Sequence, residues 1–250
     1  MQLHDTAAIV TGGASGLGAA TARALVEKGA KVFALDLAID TTARTTGVEC
    51  VEADVTDPAD VGHAVELAAG SGNPLRTVVN CAGVGPSMRI YGKKGIHDLD
   101  VYAKVIAINL VGSFNVLAMA SEQIAQTDPD EFGQRGVIIN TASIAAYDGQ
   151  VGQAAYSSSK GGIVALTLPA ARDLAQYGIR VCTIAPGIVE TPMLSTLSDE
   201  VRAGLAAGIP FPHRLGRPEE YAQLALAVID HDYLNGETIR MDGALRMAPR

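Results

Sequence analysis

The sequence predicts a single doubly wound α/β domain, with a mostly parallel sheet flanked by helices, spanning residues 1–250. Three observations carry that expectation. Between residues 6 and 36 an apolar run ends in glycines, a helical pattern follows, and a second apolar run closes on an acid. The chain has 250 residues and is 48% hydrophobic, a length that one α/β domain can hold without splitting. Its 27 glycines and absent tryptophan supply small side chains, which suit close packing of helices on a sheet.

Taken in order, Thr6 to Thr11 reads as a buried strand and runs into G-G-A-S-G-L-G at residues 12–18. Apolar residues from Leu17 to Leu25 fall at helical spacing, and Lys28-Gly29 stops the helix. Lys31 to Asp36 is a second buried strand. Strand, glycine turn, helix, strand and terminal acid make a dinucleotide-binding unit. Gly12, Gly16 and Gly18 let main chain approach a pyrophosphate, and the helix start offers free amides and the positive end of a dipole. Asp36 stands where an acid accepts from the adenosine ribose hydroxyls. That position favours NAD and repels the 2′-phosphate of NADP, and no cation stands at Ser15 or Leu37 to receive it.

The segment 37–47 is short and threonine-rich, so a crossover helix there is stunted. Val48 to Ala53 is a strand ending at Asp54-Val55. Asp54 either accepts from an adenine amino group or caps the helix that begins at Pro58. Thr77 to Cys81 is a strand, and Ala82-Gly83 after it permits flat packing on a nucleotide or simply a turn. Residues 84–97 form a long irregular loop carrying Arg89, Lys93 and Lys94. Those cations either meet an anionic substrate tail or are solvated. Asp98 to Gln126 is one long helix with Asn109 inside it, and an asparagine there needs a partner. Gly136 to Ala142 is a strand leading to Ser143, and Gln153 to Gln176 is a helix, kinked at Pro169. Ile179 to Ala185 is a further strand. Residues 191–209 look like a lid in which Met193, Leu194, Leu197, Val201 and Leu205 cover an apolar substrate. A helix over Leu215–Ile229 and a strand over Glu237–Met241 complete the chain.

The bulk numbers exclude some functions. A net charge of −8 argues against nucleic acid and anionic membrane as partners. The three cysteines show no metal spacing or disulfide framework, which fits a reducing, cytoplasmic setting. No signal peptide and no run of 18 apolar residues is visible, so no membrane span is expected.

The chemistry concentrates between Ser143 and Lys160. Tyr156 and Lys160 are four residues apart and share one helix face. A free phenol titrates near pH ~10, and lowering that by about three units takes roughly 4 kcal/mol. One cation about 4 Å away supplies roughly that at an effective dielectric near 20. Ser143, at a strand end, is placed to bond a substrate oxygen. A lone Y-x-x-x-K is otherwise a solvated helix face. The nucleotide unit earlier in the chain is what favours chemistry here.

Over nearly its whole length the chain resembles the short-chain dehydrogenase/reductase family. The matching motifs are T-G-G-A-S-G-L-G at 11–18, Asp36, D-V at 54–55, N-C-A-G at 80–83, Asn109, Ser143, Y-S-S-S-K at 156–160 and P-G-I-V-E-T at 186–191. N-C-A-G departs from the family's usual N-N-A-G. The stretches at 133–146, 149–156 and 234–244 are similar to a subgroup that oxidises 3-hydroxyacyl-CoA esters and hydroxysteroids, and the loop with Lys93-Lys94 matches that subgroup's insertion. The segment after Asp36 is shorter than the subgroup's usual form.

The resemblance implies a Rossmann-type fold and a catalytic set of Asn109, Ser143, Tyr156 and Lys160. Tyr156 would be the general acid/base, Lys160 would bind the nicotinamide ribose and lower the tyrosine pKa, and Ser143 would polarise the substrate oxygen. Asn109 would hold a helix carbonyl and a proton-relay water. Ser15, Leu17, Asp36, Asp54, Val55, Cys81, Val189 and Thr191 would line the NAD site, with no metal. The substrate implied is a short-chain 3-hydroxyacyl-CoA. A steroid or small alicyclic alcohol is the alternative, and a non-catalytic NAD-binding sensor or complex subunit is a different class. The resemblance also implies a homotetramer, with the Tyr156 helix and the C-terminal strand region at its interfaces; the expected location is cytoplasmic, with the mitochondrial matrix as the alternative in a eukaryote.

Overall fold

The computed structural model describes residues 1–38, 46–93, 95–194 and 198–249. Strands β1 (Ala7–Thr11), β2 (Lys31–Asp36), β3 (Val48–Glu52) and β4 (Leu75–Asn80) come first in the chain, and β5 (Tyr91–Gly92) and β6 (Gly95–Ile96) form a separate small hairpin. With β7 (Gly136–Thr141), β8 (Ile179–Pro186) and β9 (Thr238–Met241), the main sheet has seven strands in the order β3-β2-β1-β4-β7-β8-β9. Every pairing in it is parallel. The winding runs outward from β1 to β3, then returns to β4 and runs the other way. The crevice outside the carboxyl ends of β1 and β4 is therefore the switch point where such sheets bind ligands.

The pleat of β1 shows how the layers form. Ala7 and Ile9 point to one face and Ala8 and Val10 to the other, and all four are buried. The first face packs against α2 (Pro58–Ala69), α4 (Ser113–Ala125) and α5 (Ala154–Ala175). The second packs against α1 (Gly16–Glu27) and α7 (Pro218–Asp230). A strand buried on both sides reads as an unbroken apolar run, as A-A-I-V and V-I-I do here.

Several expectations are corrected in detail. Asp57, not Asp54, caps α2, accepting from Ala59 N at 2.8 Å. The loop at 84–97 is not wholly irregular, because β5 and β6 fold it back on itself. The segment 37–47 falls largely outside the described residues. Helix α5 runs as one helix from Ala154 through Pro169 to Ala175.

The long helix after Asp98 is not uniform. It begins as α3 (Leu99–Ile106), capped by Asp98, widens to a π-helical turn over Ala107–Gly112 and continues as α4. Its 27 residues, at a mean hydropathy of 1.6 in their most apolar stretch, are long and apolar enough to cross a membrane, even though polar residues interrupt every run. Here the helix packs one face against α2, α5 and β4, burying Val105, Val116, Leu117, Ala120 and Ile124, while Leu99, Val111 and Phe114 stay exposed.

Candidate active site

The nucleotide end of the crevice is shaped first by the protein's own backbone. Gly12 has φ +63°, and a Cβ on it would sit 2.9 Å from Ala82 N, so the loops after β1 and β4 are pressed together there. A Cβ on Gly18 would run into the Gly12 carbonyl. Two of the three motif glycines thus make room for protein. A Cβ on Gly16, at φ +50°, would stand 3.4 Å from the Thr191 side chain. Ser15 is extended and exposed, and its side chain does not cap α1, which leaves the first amides of that helix unfilled by the protein.

Asp36 is anchored at both oxygens. Oδ2 accepts from Ala14 N at 3.1 Å and Oδ1 from Leu37 N at 2.9 Å. The acid is thereby held against the glycine loop. Asp54 accepts from the amide and hydroxyl of Thr56 at 2.8 and 2.7 Å, and the amide bond holds its carboxyl below the usual range. Val55 turns inward onto Gly112 in the π turn, and its carbonyl accepts from Asn115 at 3.1 Å. The Leu17 side chain packs into the α1–α7 core, so only its main chain faces the helix start. The amides of Cys81 and Ala82 both donate to Thr11 Oγ1 at 3.1 Å. The Cys81 thiol turns toward Thr141 and Tyr221, so its main chain is what the β4 end presents to the crevice. Val189 is buried and bridged to Gly216.

The reactive end is built from buried side chains. Ser143 follows β7, and its oxygen accepts from Ala145 N at 3.1 Å, which fixes its rotamer. Tyr156 is half-buried, but its phenol end is desolvated. Burial pushes its pKa up, while a hydrogen bond with Ser143 pulls the other way. Lys160 lies beside the Tyr156 ring. Its Nζ lies 5.8 Å from the Tyr156 ring centroid and donates to the Thr141 carbonyl at 2.7 Å. Burial pushes Lys160 down to about 8. Burial thus opposes the lowering of the tyrosine expected from an adjacent ammonium. Desolvation dominates, and the phenol is held protonated at neutral pH.

Asn109 sits in the π turn and ties the site together. Its Oδ1 accepts from Val84 N at 2.8 Å, and its Nδ2 donates to Val84 O at 2.9 Å and to Ser159 Oγ at 3.0 Å. One side chain thus fixes the loop after β4 to helix α5. Its own carbonyl accepts from Ser113 Oγ at 2.9 Å, a bond within the helix. A Cβ on Gly83 would stand 3.2 Å from Asn109 Oδ1 and 3.5 Å from Lys160 Nζ. The missing side chain leaves space in front of both groups, which is a cradle for a flat ligand. The residues present fit a dinucleotide laid from Asp36, past Gly16, to Gly83.

The substrate side is looser. Lys93 is exposed, and Lys94 lies outside the described residues. Met88 N donates to Gly152 O at 2.8 Å and anchors the loop beside the Tyr156 helix. In the proposed lid, Leu194 and Leu205 pack on a cluster of Ile144, Ile209, Leu215 and Leu245, while Val201 on α6 (Asp199–Ala207) is exposed. Leu197 and the side chain of Met193 lie outside the description. A cavity of about 470 Å³ between Val189, Ile209, Leu224 and Met241 does not reach Ser143 or Tyr156. Sequence reasoning missed Thr11, Thr141 and Ser159. Their spacing carries no signal, because each acts through strand-end or helix-face contacts that only the fold creates.

A family model described as short chain dehydrogenase matches residues 6–202. The chain is 53% identical over 249 residues to 3-hydroxyacyl-CoA dehydrogenase type-2 of Bos taurus, covering 97% of this chain and 95% of that one. It is 48% identical over 254 residues to the protein of that name from Drosophila melanogaster, covering 99% and 100%. The crystal structure of 3-hydroxyacyl-CoA dehydrogenase type-2 from Mycobacterium avium superimposes with a TM-score of 0.92 at 42% identity, covering 98% of each chain.

Proposed function

The chain belongs to the short-chain dehydrogenase family, and from that premise we propose that it oxidises a short-chain 3-hydroxyacyl-CoA with NAD and reduces the corresponding ketone with NADH. The reaction class rests on one arrangement: the Ser143 hydroxyl, the desolvated Tyr156 phenol and the buried Lys160 ammonium behind Gly83. The substrate reading is supported by full-length likeness to relatives named for it.

When bound, the nicotinamide supplies the carbon that gives or takes the hydride. The chain's own residues do the rest. Asp36 accepts from the adenosine ribose and disfavours a 2′-phosphate. Gly16 and the open amides of α1 receive the pyrophosphate. Ser143 donates to the substrate oxygen and stabilises charge that develops there. In reduction Tyr156, kept protonated by burial, delivers the proton to that oxygen. In oxidation the same phenol oxygen must take the proton up, within reach of the Ser143 hydroxyl. Lys160, near its midpoint at about pH 8, is charged at neutral pH and holds ribose hydroxyls. Exposed Leu99, Val111 and Phe114 on the long helix and Leu168 on α5 support a homotetramer, which sedimentation would test.

The deciding experiment is a substrate panel with NADH: acetoacetyl-CoA, a neutral small ketone and a ketosteroid. The proposal expects the CoA ester to have the highest kcat/KM and Lys93→Glu to raise KM for it alone. Higher kcat/KM with the steroid would overturn the substrate. No turnover of any ketone, with NADH still bound, would favour a sensor.

A further inference from the structure

Lys160 reaches its acceptor through a residue that faces two ways. Thr141 ends β7. Its carbonyl accepts from Lys160 Nζ at 2.7 Å on the α5 side of the sheet. Its side chain leaves toward α7, where Oγ1 lies 2.7 Å from the Tyr221 hydroxyl and 3.6 Å from Cys81 Sγ. The thiol in turn lies 3.8 Å from the same phenol oxygen. Tyr221 is 0% exposed, Lys160 4% and Thr141 7%. A phenol so deeply buried needs a hydrogen-bond partner. It finds its partners at the strand end that presents the lysine's acceptor.

We propose that Tyr221, acting through Thr141, is a positioning residue for Lys160, fixing the carboxyl end of β7 so that the Thr141 carbonyl stays aimed at the ammonium. This deepens the reading of Tyr156 and Lys160 given above and rests on it. The physical reason is the environment of the lysine. Burial opposes its charge, and the carbonyl dipole is a favourable term that depends steeply on alignment. The titratable groups facing Lys160 are Tyr156 on its own helix, Cys81 at the end of β4 and, behind Thr141, Tyr221 on α7. None is an acid ionised at neutral pH, since burial pushes all three upward. Helix α7, on the far layer of the sheet, is thereby coupled to the ionisation of a group on α5.

The test is a direct titration of the Lys160 Nζ resonance in protein carrying 15N-lysine, assigned with Lys160→Met. Tyr221→Phe keeps the ring and removes the hydroxyl. It is expected to lower the midpoint by about one unit, a roughly tenfold smaller charged fraction at pH above it. Thr141→Val should do the same, and Thr141→Ser, which keeps the hydroxyl, should restore the wild-type midpoint. A fall in Tm in Tyr221→Phe with the midpoint unmoved would overturn the proposal, because a purely structural role predicts that. A shift in Thr141→Val alone would remove Tyr221 from the role. Should Tyr221→Phe fail to fold, Tyr221→Met, which fills much of the ring's volume without a hydroxyl, makes the same test of the midpoint. The titration needs no substrate, so failure of the 3-hydroxyacyl-CoA reading leaves it intact.

Discussion

The two ends of the crevice are built on opposite principles. At the nucleotide end, main chain meets main chain. Gly12 lies against Ala82, Gly18 lies against the Gly12 carbonyl, and the half-exposed carboxylate of Asp36 is held by two amides. At the reactive end, buried side chains meet one another or single main-chain groups: Lys160 the Thr141 carbonyl, Ser143 the Ala145 amide, and Asn109 the Val84 main chain and Ser159. The contrast separates recognition from reaction. Selection between two soluble cofactors can be done by an exposed charge on a rigid frame. Proton transfer needs desolvation, which shifts ionisation and makes each dipole count.

That division predicts where substitutions are felt. The largest effect falls on reaction without recognition: Tyr156→Phe should lower kcat by about 10²–10⁴-fold, the usual worth of a general acid, while NADH affinity by fluorescence titration stays near wild type. Turnover near wild type would break the comparison at its centre. Next comes the frame. Gly18→Ala should cost about 1–3 kcal/mol in urea unfolding, because the added methyl has no space. Gly62→Ala in α2, where a Cβ meets nothing within 4 Å, should instead stabilise by about 0.5–1 kcal/mol. Recognition without reaction is sharpened by Asp36→Ala, expected to cut the preference for NAD over NADP by about tenfold or more with kcat on NADH little changed.

The smallest effect lies away from both ends. Arg214 donates to both oxygens of Glu220 and holds its carboxyl at about 2 rather than 4.5. A lowered folded-state pKa stabilises fully above pH 4.5, and that contribution is lost as pH falls toward 2. Glu220→Gln should flatten that acid limb of Tm against pH only slightly, and less so at high salt, since the pair is more than a third exposed.

The frame was far more legible in the sequence than the wiring. Strands buried on both faces declare themselves as apolar runs, and the strand–turn–helix–strand unit closing on Asp36 has one structural meaning. Asn109 announced itself as an asparagine inside a helix, but its partners Val84 and Ser159 did not, since they meet only once α5 packs beside the loop after β4. The phenol–ammonium pair was found from helical spacing, yet spacing said nothing of the Thr141 carbonyl that draws the ammonium aside. Burial, invisible in residue order, works against the expected lowering at Tyr156. The glycines were found as a pyrophosphate loop, and two of them also let neighbouring main chain pack closely.

The widened turn at Ala107–Gly112 has a consequence for substitution and deletion. A π turn bonds five residues back rather than four, so it holds one residue more than the regular spiral requires. Excising that residue would give a tidier helix and turn the amide of Asn109 roughly 100° off its bearing, given 3.6 residues per turn. Regularity at this point of the chain would come at the expense of the carboxamide that clasps two separate elements.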